Sequence, residues 1–294
     1  MKPEEIDEEF ATARIGLARG HLSQFVANAD SLIKRALSMG DQERARAMAS
    51  AVIFPALVTG SSELAETCLT LAESGTAPRS PSLLRARGFA AFLKGNAIAF
   101  EQAARQTAEL AEQSGDTGSR IVSWRFLGLA LYFHGRGGEA EQVFVEAQRL
   151  SEEADDVANR TEILCWRARI ALEAGDVAGA TTFVEYASRV VQSNDTTARA
   201  LLAMTRGLLC KEQNRLPEAE TFLRQATDLA DATEFGNIRA DAAVALTRFL
   251  ADTGRRSEAL EAILPTRHWL HKSGYRFLDR QLAEIDPLIA AQPD

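Results

Sequence analysis

A short polar turn recurs along this chain at an almost fixed interval. The turns are centred on Gly95, Gly135, Gly175, Asn214 and Gly254, which are 40, 40, 39 and 40 residues apart. Four of these turns are followed, five residues later, by Ala140, Ala180, Ala219 and Ala259, and an earlier copy contains Gly60 and Ala65. A fixed period of this size is typical of a solenoid, in which one supersecondary unit stacks on copies of itself.

The composition predicts that each unit is made of helices. The chain has 294 residues and is 46% hydrophobic. Alanine is abundant and runs of β-branched residues are few, which favours helix over sheet. A chain of this length exceeds one compact core of ordinary size but suits a stack of repeats. We therefore predict an all-α protein.

The unit around Gly135 shows the internal pattern of the repeat most clearly. It is the fourth unit when the N-terminal helix pair is counted as the first. Counted from Gly135, the positions of interest are Trp124 at −11, Leu127 at −8, Gly128 at −7, Ala140 at +5, Phe144 at +9 and Ala147 at +12. This spacing resembles the tetratricopeptide repeat. A small residue is expected at −7, because the two helices of a unit cross closely there. Residues 41–272 carry the resemblance, although the usual period of the family is about 34 residues.

The resemblance implies a right-handed α-α superhelix of about seven helix pairs plus a C-terminal capping helix. We predict an N-terminal helix pair or cap over residues 1–40 and a capping helix over 274–294. The repeats between them are predicted at about 41–80, 81–116, 117–155, 156–194, 195–234 and 235–273. The long period is similar to the repeats of bacterial maltose-activator-type regulators, mainly through residues 232–263.

Charge and motifs exclude several classes of function. The net charge is −8 and the isoelectric point is about 5.2, so general attraction to nucleic acid or to anionic membranes is not expected. No phosphate-binding loop and no nucleophile elbow is present in the sequence, and no catalytic residue is predicted. The acidic start lacks the apolar segment of a secretory signal, and no apolar run is long enough to span a membrane.

The remaining reactive side chains predict no cofactor and no metal. Cys68, Cys165 and Cys210 lie in apolar helical contexts without paired spacing, which favours buried thiols in the reducing cytoplasm. His268 and His271 share a helix face, but two histidines without a third ligand make a weak metal site. We therefore expect a non-enzymatic cytoplasmic protein.

The family resemblance implies that the first helix of each unit, helix A, lines the concave face. The inward positions of the family correspond to −13, −10, −6, −3 and −2 from the turn residue. From these positions we predict a partner-binding groove formed by Arg85, Phe89, Phe92, Arg125, Leu129, Tyr132, Arg169, Met204 and Arg248. The lysine and asparagine of the family's carboxylate clamp are not matched, so a chaperone C-terminus is not the predicted partner.

The groove places one arginine in the middle of four helices, namely Arg85, Arg125, Arg169 and Arg248. A charge in such a position must be paired or solvated. One interpretation is that each arginine pairs with a carboxylate of a neighbouring helix. The other is that the row binds an acidic peptide, because guanidinium groups bind carboxylates with two parallel hydrogen bonds. The acidic N-terminus, residues 3–9, is a further candidate occupant.

Two main functions follow from these patterns. The first is a scaffold that binds a protein or an acidic peptide in its concave groove. The second is a ligand-sensing regulatory domain of a bacterial signalling or transcription-regulator system. An enzyme built on helical repeats and self-association through the terminal units remain further alternatives.

Overall fold

The computed structural model describes residues 3–18, 20–75 and 80–290, and these residues form fifteen helices and no strand. The helices are α1 (Pro3–Ala18), α2 (Leu22–Ser38), α3 (Gln42–Thr59), α4 (Ser62–Glu73), α5 (Pro81–Leu93), α6 (Ala97–Ser114), α7 (Thr117–Phe133), α8 (Gly137–Glu153), α9 (Val157–Glu173), α10 (Val177–Val190), α11 (Thr196–Glu212), α12 (Leu216–Asp231), α13 (Gly236–Asp252), α14 (Arg256–Ser273) and α15 (Asp279–Ala290). Seven consecutive pairs and a last helix confirm the predicted all-α repeat architecture.

The periodic turn residue joins the two helices of a unit in a left-handed backbone conformation. Its φ angle is 74° at Gly95, 79° at Gly135, 77° at Gly175, 59° at Asn214 and 79° at Gly254. Glycine adopts this conformation without steric cost, and asparagine tolerates it better than most residues. The period therefore marks a backbone position at which the left-handed conformation restricts the choice of residue.

Aspartate begins many of the helices. The side chains of Asp116, Asp156, Asp176 and Asp195 each accept a hydrogen bond from the backbone N–H three residues later, at the N-termini of α7, α9, α10 and α11. This satisfies one of the N–H groups that have no partner within the helix. Together, the aspartate caps and the left-handed turns set both ends of the loops between helices.

The two helices of a unit approach each other most closely at the predicted small residue. A Cβ atom added at Gly128 on α7 would lie 2.7 Å from the ring of Phe144 on α8, and one added at Gly207 would lie 2.6 Å from Leu223. The alanines five residues after the turn, Ala140, Ala180, Ala219 and Ala259, are all fully buried. The close crossing expected from the sequence is confirmed.

The first two helix pairs also contact residues that flank the last pair. The backbone N–H of Ser23 on α2 donates to Glu234 Oε2 at 2.6 Å, and the hydroxyl of Tyr275 donates to the carbonyl of Leu57 at 2.8 Å. Phe54 and Phe235 have ring centroids 6.2 Å apart. The superhelix therefore curves far enough for its beginning to meet its end.

The acidic N-terminal helix pairs with its own neighbours. Asp7 accepts a hydrogen bond from Arg44 on α3 at 2.8 Å, and Glu9 accepts one from Arg35 on α2 at 2.6 Å. The expectation that this segment occupies the inner arginine row is wrong for these two carboxylates. The physical reason is that arginines on α2 and α3 lie directly beside α1.

The C-terminal segment instead reaches the concave side. The backbone N–H of Arg276 donates to the carbonyl of Leu93 at 2.7 Å, and the rings of Phe277 and Phe92 have centroids 5.0 Å apart. Helix α15 then packs against α13 and α14, with Ile285 fully buried.

In the described part of the chain, no helix is both long and apolar enough to cross a lipid bilayer.

A candidate binding pocket on the concave face

A pocket of about 580 Å³ lies between the inner helices of the last four units and α15. It is lined by Tyr132, Phe133, Gly135, Gly137, Arg169, Leu172, Glu173, Leu208, Lys211, Glu212, Asp241, Val244, Ala245, Arg248, Phe277, Arg280, Gln281 and Glu284. Most of the lining comes from inward positions of the repeat. These positions supply every lining residue of α9 and α11, and Asp241, Val244 and Arg248 of α13. A volume of this order suits a small ligand or a short peptide segment.

Aromatic side chains form one wall of the pocket. Phe133 lies between Phe92 and Trp166, with centroid distances of 4.5 and 5.6 Å. Tyr132 packs edge-on against Phe133 at 5.2 Å, and Phe277 extends the cluster from the C-terminal segment. Such a cluster offers a large rigid apolar surface at little cost in side-chain entropy.

Arg169 crosses the floor of the pocket to a different unit. Its Nη1 donates to Asp241 Oδ2 at 2.8 Å, which ties α9 to α13 across 72 residues of sequence. The guanidinium lies 4.4 Å from the ring centroid of Trp166. Although burial acts in the opposite direction, the Asp241 carboxylate raises the pKa of Arg169 above its ordinary value. Arg169 is therefore a charged group that is both paired and stacked.

Tyr132 is held as a neutral hydrogen-bond donor. Its hydroxyl donates to the carboxylate of Glu173. Burial, reinforced by the negative charge of Glu173, raises the pKa of Tyr132 above its ordinary value. A phenol in this state positions a carboxylate and does not act as a base near neutral pH.

The charges around the pocket are balanced in number. The basic residues are Arg169, Lys211, Arg248 and Arg280, and the acidic ones are Glu173, Glu212, Asp241 and Glu284. Arg248 Nη1 donates to Glu284 Oε2 at 2.5 Å, and Lys211 donates to Asp252. The hydrogen bond from Arg248 also lowers the pKa of Glu284. A ligand would meet paired charges of both signs together with the aromatic wall.

The structure divides the predicted groove residues into three groups. Tyr132, Arg169 and Arg248 meet at the pocket. Arg85, Phe89, Arg125 and Leu129 lie on α5 and α7 outside its lining and are half-buried. Phe92 and Met204 are only 9% and 2% exposed, so their side chains belong to the core and offer a partner little surface.

Sequence reasoning did not assign the contribution of α15 to the pocket. The sequence predicted only a capping helix over residues 274–294, whereas Phe277 lies in the turn just before α15. The surface that this segment covers is set by the curvature of the whole stack. Arg280, Gln281 and Glu284 therefore enter the lining without any signal in the repeat pattern.

The cysteines provide no reactive group near the pocket. Cys165 lies beneath the inner face and is fully buried, and burial raises the pKa of its thiol to about 12. Thiolate is the nucleophilic form, so this residue is inert near neutral pH. Among residues 3–18, 20–75 and 80–290, no group of three or more His, Cys, Asp and Glu side chains could hold a metal ion.

The fold is similar to the folds of several solved helical-repeat structures. It matches the crystal structure of a Rap protein complexed with competence and sporulation factor at a TM-score of 0.68 and 14% identity, over 96% of this chain and 80% of the Rap chain. The apo form of RapI matches at 0.66 and 11%, over 95% of this chain and 99% of RapI.

A third similar structure is a signal-transduction ATPase from Pyrococcus horikoshii that has a tetratricopeptide repeat sensor. The TM-score is 0.53 at 14% identity, and the match covers 95% of this chain and 44% of the ATPase chain. No protein-family model and no curated protein matches the sequence. At these identities the likeness establishes the fold, which is a tetratricopeptide-like helical repeat.

Proposed function

We propose that this chain is a non-enzymatic binding module that takes a segment of a partner protein or peptide into the pocket on its concave face. The observation that carries the proposal is the pocket itself, which joins an aromatic wall to paired charges from four repeat units and α15. Aromatic and arginine side chains in a desolvated recess are the usual anchors of protein recognition. The similarity in fold to a Rap protein complexed with competence and sporulation factor supports this role.

The expected ligand carries both a large apolar side chain and charge. The apolar group would pack against Tyr132, Phe133 and Phe277. The carboxylates of the ligand would face the guanidinium groups of Arg169 and Arg248. Arg169 and Arg248 already have carboxylate partners. A ligand carboxylate would therefore have to share each arginine with that partner or displace the partner. We therefore propose a short peptide with mixed apolar and acidic character and no role for nucleic acid, membrane, metal or cofactor.

The proposal is tested by filling the pocket. Peptides would be selected from a random 12-residue display library on the wild-type protein and then measured against two variants. Ala245→Trp introduces a large side chain into the pocket, whereas Val145→Trp adds the same side chain on α8, where Val145 is 48% exposed. We expect A245W to weaken binding at least tenfold and V145W to leave it unchanged, with both variants retaining full helicity.

Two results would contradict the proposal. Selected peptides that bind A245W and wild type equally would place recognition elsewhere on the molecule. A selection that enriches no peptide over the background would argue against peptide recognition by this pocket.

The second candidate function is a ligand-sensing regulatory domain. The observation that favours it is the position of the C-terminal segment, in which α15 lines the pocket and Arg276, just before α15, is tied to α5 of the third unit. A ligand that displaced this segment would change the closure of the superhelix. The resemblance of the long repeats to maltose-activator-type bacterial regulators supports this alternative.

Hydrogen exchange separates the two candidates. In a passive binding module, a selected peptide should protect the inner helices and leave residues 275–290 as protected as before. In a sensor, the same peptide should increase exchange in this C-terminal segment.

A further inference from the structure

One inner arginine differs from the other three. Arg125 pairs with Glu162, Arg169 with Asp241, and Arg248 with Glu284. Arg85 has no carboxylate partner among the described residues, and its one hydrogen bond is from Nη1 to the hydroxyl of Ser123 at 3.5 Å. This is a long contact, close to the limit for a hydrogen bond.

The surroundings of Arg85 disfavour a positive charge. The residue is half-buried on α5, and Ser123, which it faces on α7, is fully buried. Burial, together with the positive charge of Arg125 nearby, lowers the pKa of the Arg85 guanidinium. Arginine nevertheless stays protonated in proteins, so the cation remains and is only partly solvated. An anion bound here would stabilise it.

An apolar patch lies one helical turn from Arg85. Phe89 occupies the same face of α5, and its ring centroid is 5.6 Å from that of Phe54 on α3. Phe54 is 48% exposed, which is unusual for a side chain of this size, and it also approaches Phe235 at 6.2 Å. A cation without a carboxylate therefore stands beside an exposed aromatic surface.

We propose that Arg85 and the aromatic pair Phe54 and Phe89 form a second subsite, which binds a carboxylate of the partner peptide and the apolar side chain next to it. The proposal rests on the function proposed above, since it extends the peptide from the pocket along the inner face. A single guanidinium matches one carboxylate group, to which it can donate two parallel hydrogen bonds.

The subsite is tested with the smallest probe that carries both chemical features. N-acetyl-phenylalanine has a carboxylate next to an aromatic side chain, and N-acetyl-phenylalaninamide is the matched probe without the charge. Dissociation constants of both would be measured by NMR titration of the full chain. We expect the acid to bind about tenfold more tightly than the amide, since hydrogen bonds to a charged group contribute this much.

Three variants assign the preference to Arg85. Arg85→Gln should abolish the preference for the acid, and Arg85→Lys should retain part of it. Arg87→Gln is the control on the same helix, because Arg87 is exposed and pairs with Glu73, and it should behave as wild type. Since Arg85 has no carboxylate partner to lose, the melting temperature of R85Q should equal or exceed that of the wild type. An unchanged melting temperature would show that a loss of binding by R85Q is local.

The outcomes distinguish this proposal from the function on which it rests. Equal binding of acid and amide, no binding of either probe, or a preference that survives R85Q would overturn the subsite. If any of these occurs while the selected peptides remain sensitive to A245W, the pocket still binds peptide and only the Arg85 subsite is lost. If the probe preference depends on Arg85 but A245W changes nothing, recognition centres on α3 and α5 instead of the pocket.

Discussion

At the scale of single residues, the most strongly paired carboxylate lies outside the groove. Glu101 on α6 is only 8% exposed and accepts hydrogen bonds from His134 at 2.6 Å, from Arg136 at 2.5 Å and from Arg105 at 2.9 Å. Although burial acts in the opposite direction, these three hydrogen bonds lower the pKa of Glu101 from 4.5 to about 2. Glu101 thus fixes the loop between α7 and α8 onto α6.

We predict that Glu101→Gln lowers the free energy of unfolding at neutral pH by about 1–3 kcal/mol, because it leaves basic groups without a charged acceptor. The folded pKa is depressed, so the stabilisation is fully present above about pH 4.5 and is lost as the pH falls towards about 2. Urea unfolding of both proteins should therefore show a difference that shrinks over this range. Glu139→Gln removes a more exposed partner of Arg136 and should have a much smaller effect.

At the scale of the helix pair, stability depends on how closely two helices can cross. Gly128 lets the ring of Phe144 lie against the backbone of α7, and Gly207 does the same for Leu223 in a later unit. Each contact joins a small residue of one helix to a large residue of the next. The equivalent position holds Gly88 in the third unit but Ala168 and Thr247 in the fifth and seventh, so the closest crossings belong to the units with glycine.

We predict that Gly128→Ala lowers the unfolding free energy by about 1–3 kcal/mol, since the added Cβ would overlap Phe144 and overpacking outweighs the gain in helix propensity. Gly138→Ala is the matched control on α8, where nothing lies within 4 Å of the added Cβ. It should be neutral or stabilising by up to about 1 kcal/mol. Equal destabilisation by both substitutions, measured in urea, would show that the close crossing is not the cause.

At the scale of the whole molecule, the stack is closed on itself. The units at the ends of an open solenoid contact a neighbour on one side only and unfold most easily. Here Tyr275, which is 3% exposed, bonds to Leu57, and Trp269 packs against Gly60 of the turn between α3 and α4. Closure therefore gives the first and last units contacts that a linear array would lack.

We predict that Tyr275→Phe accelerates amide exchange in both α3 and α14, although these helices are far apart in sequence. The substitution keeps the ring and removes the hydroxyl that donates to Leu57, at a cost of about 1 kcal/mol. Tyr186→Phe is the control, because that hydroxyl donates to Glu152 at the surface and within adjacent units. Hydrogen exchange that increases only around residue 275 would mean that the two ends are not energetically coupled.

The sequence alone determined the features that repeat. The left-handed turn at Gly135 and the small residue at Gly128 follow from offsets within one unit, because each depends on contacts between adjacent helices. The fold and the number of helix pairs could therefore be predicted from the spacing, whereas the inward position of Arg169 and the identity of the concave face were implied by the family resemblance. The division into domains and the binding role of the groove residues stay predictions.

Only the tertiary structure decided which distant units meet. The pairing of Arg169 with Asp241 and the entry of Phe277 into the aromatic wall depend on contacts between non-adjacent units. These contacts are set by small rotations from one unit to the next, which accumulate along the stack. A local period specifies each step of the superhelix but not the sum of the rotations, and that sum brings the C-terminal segment across the groove.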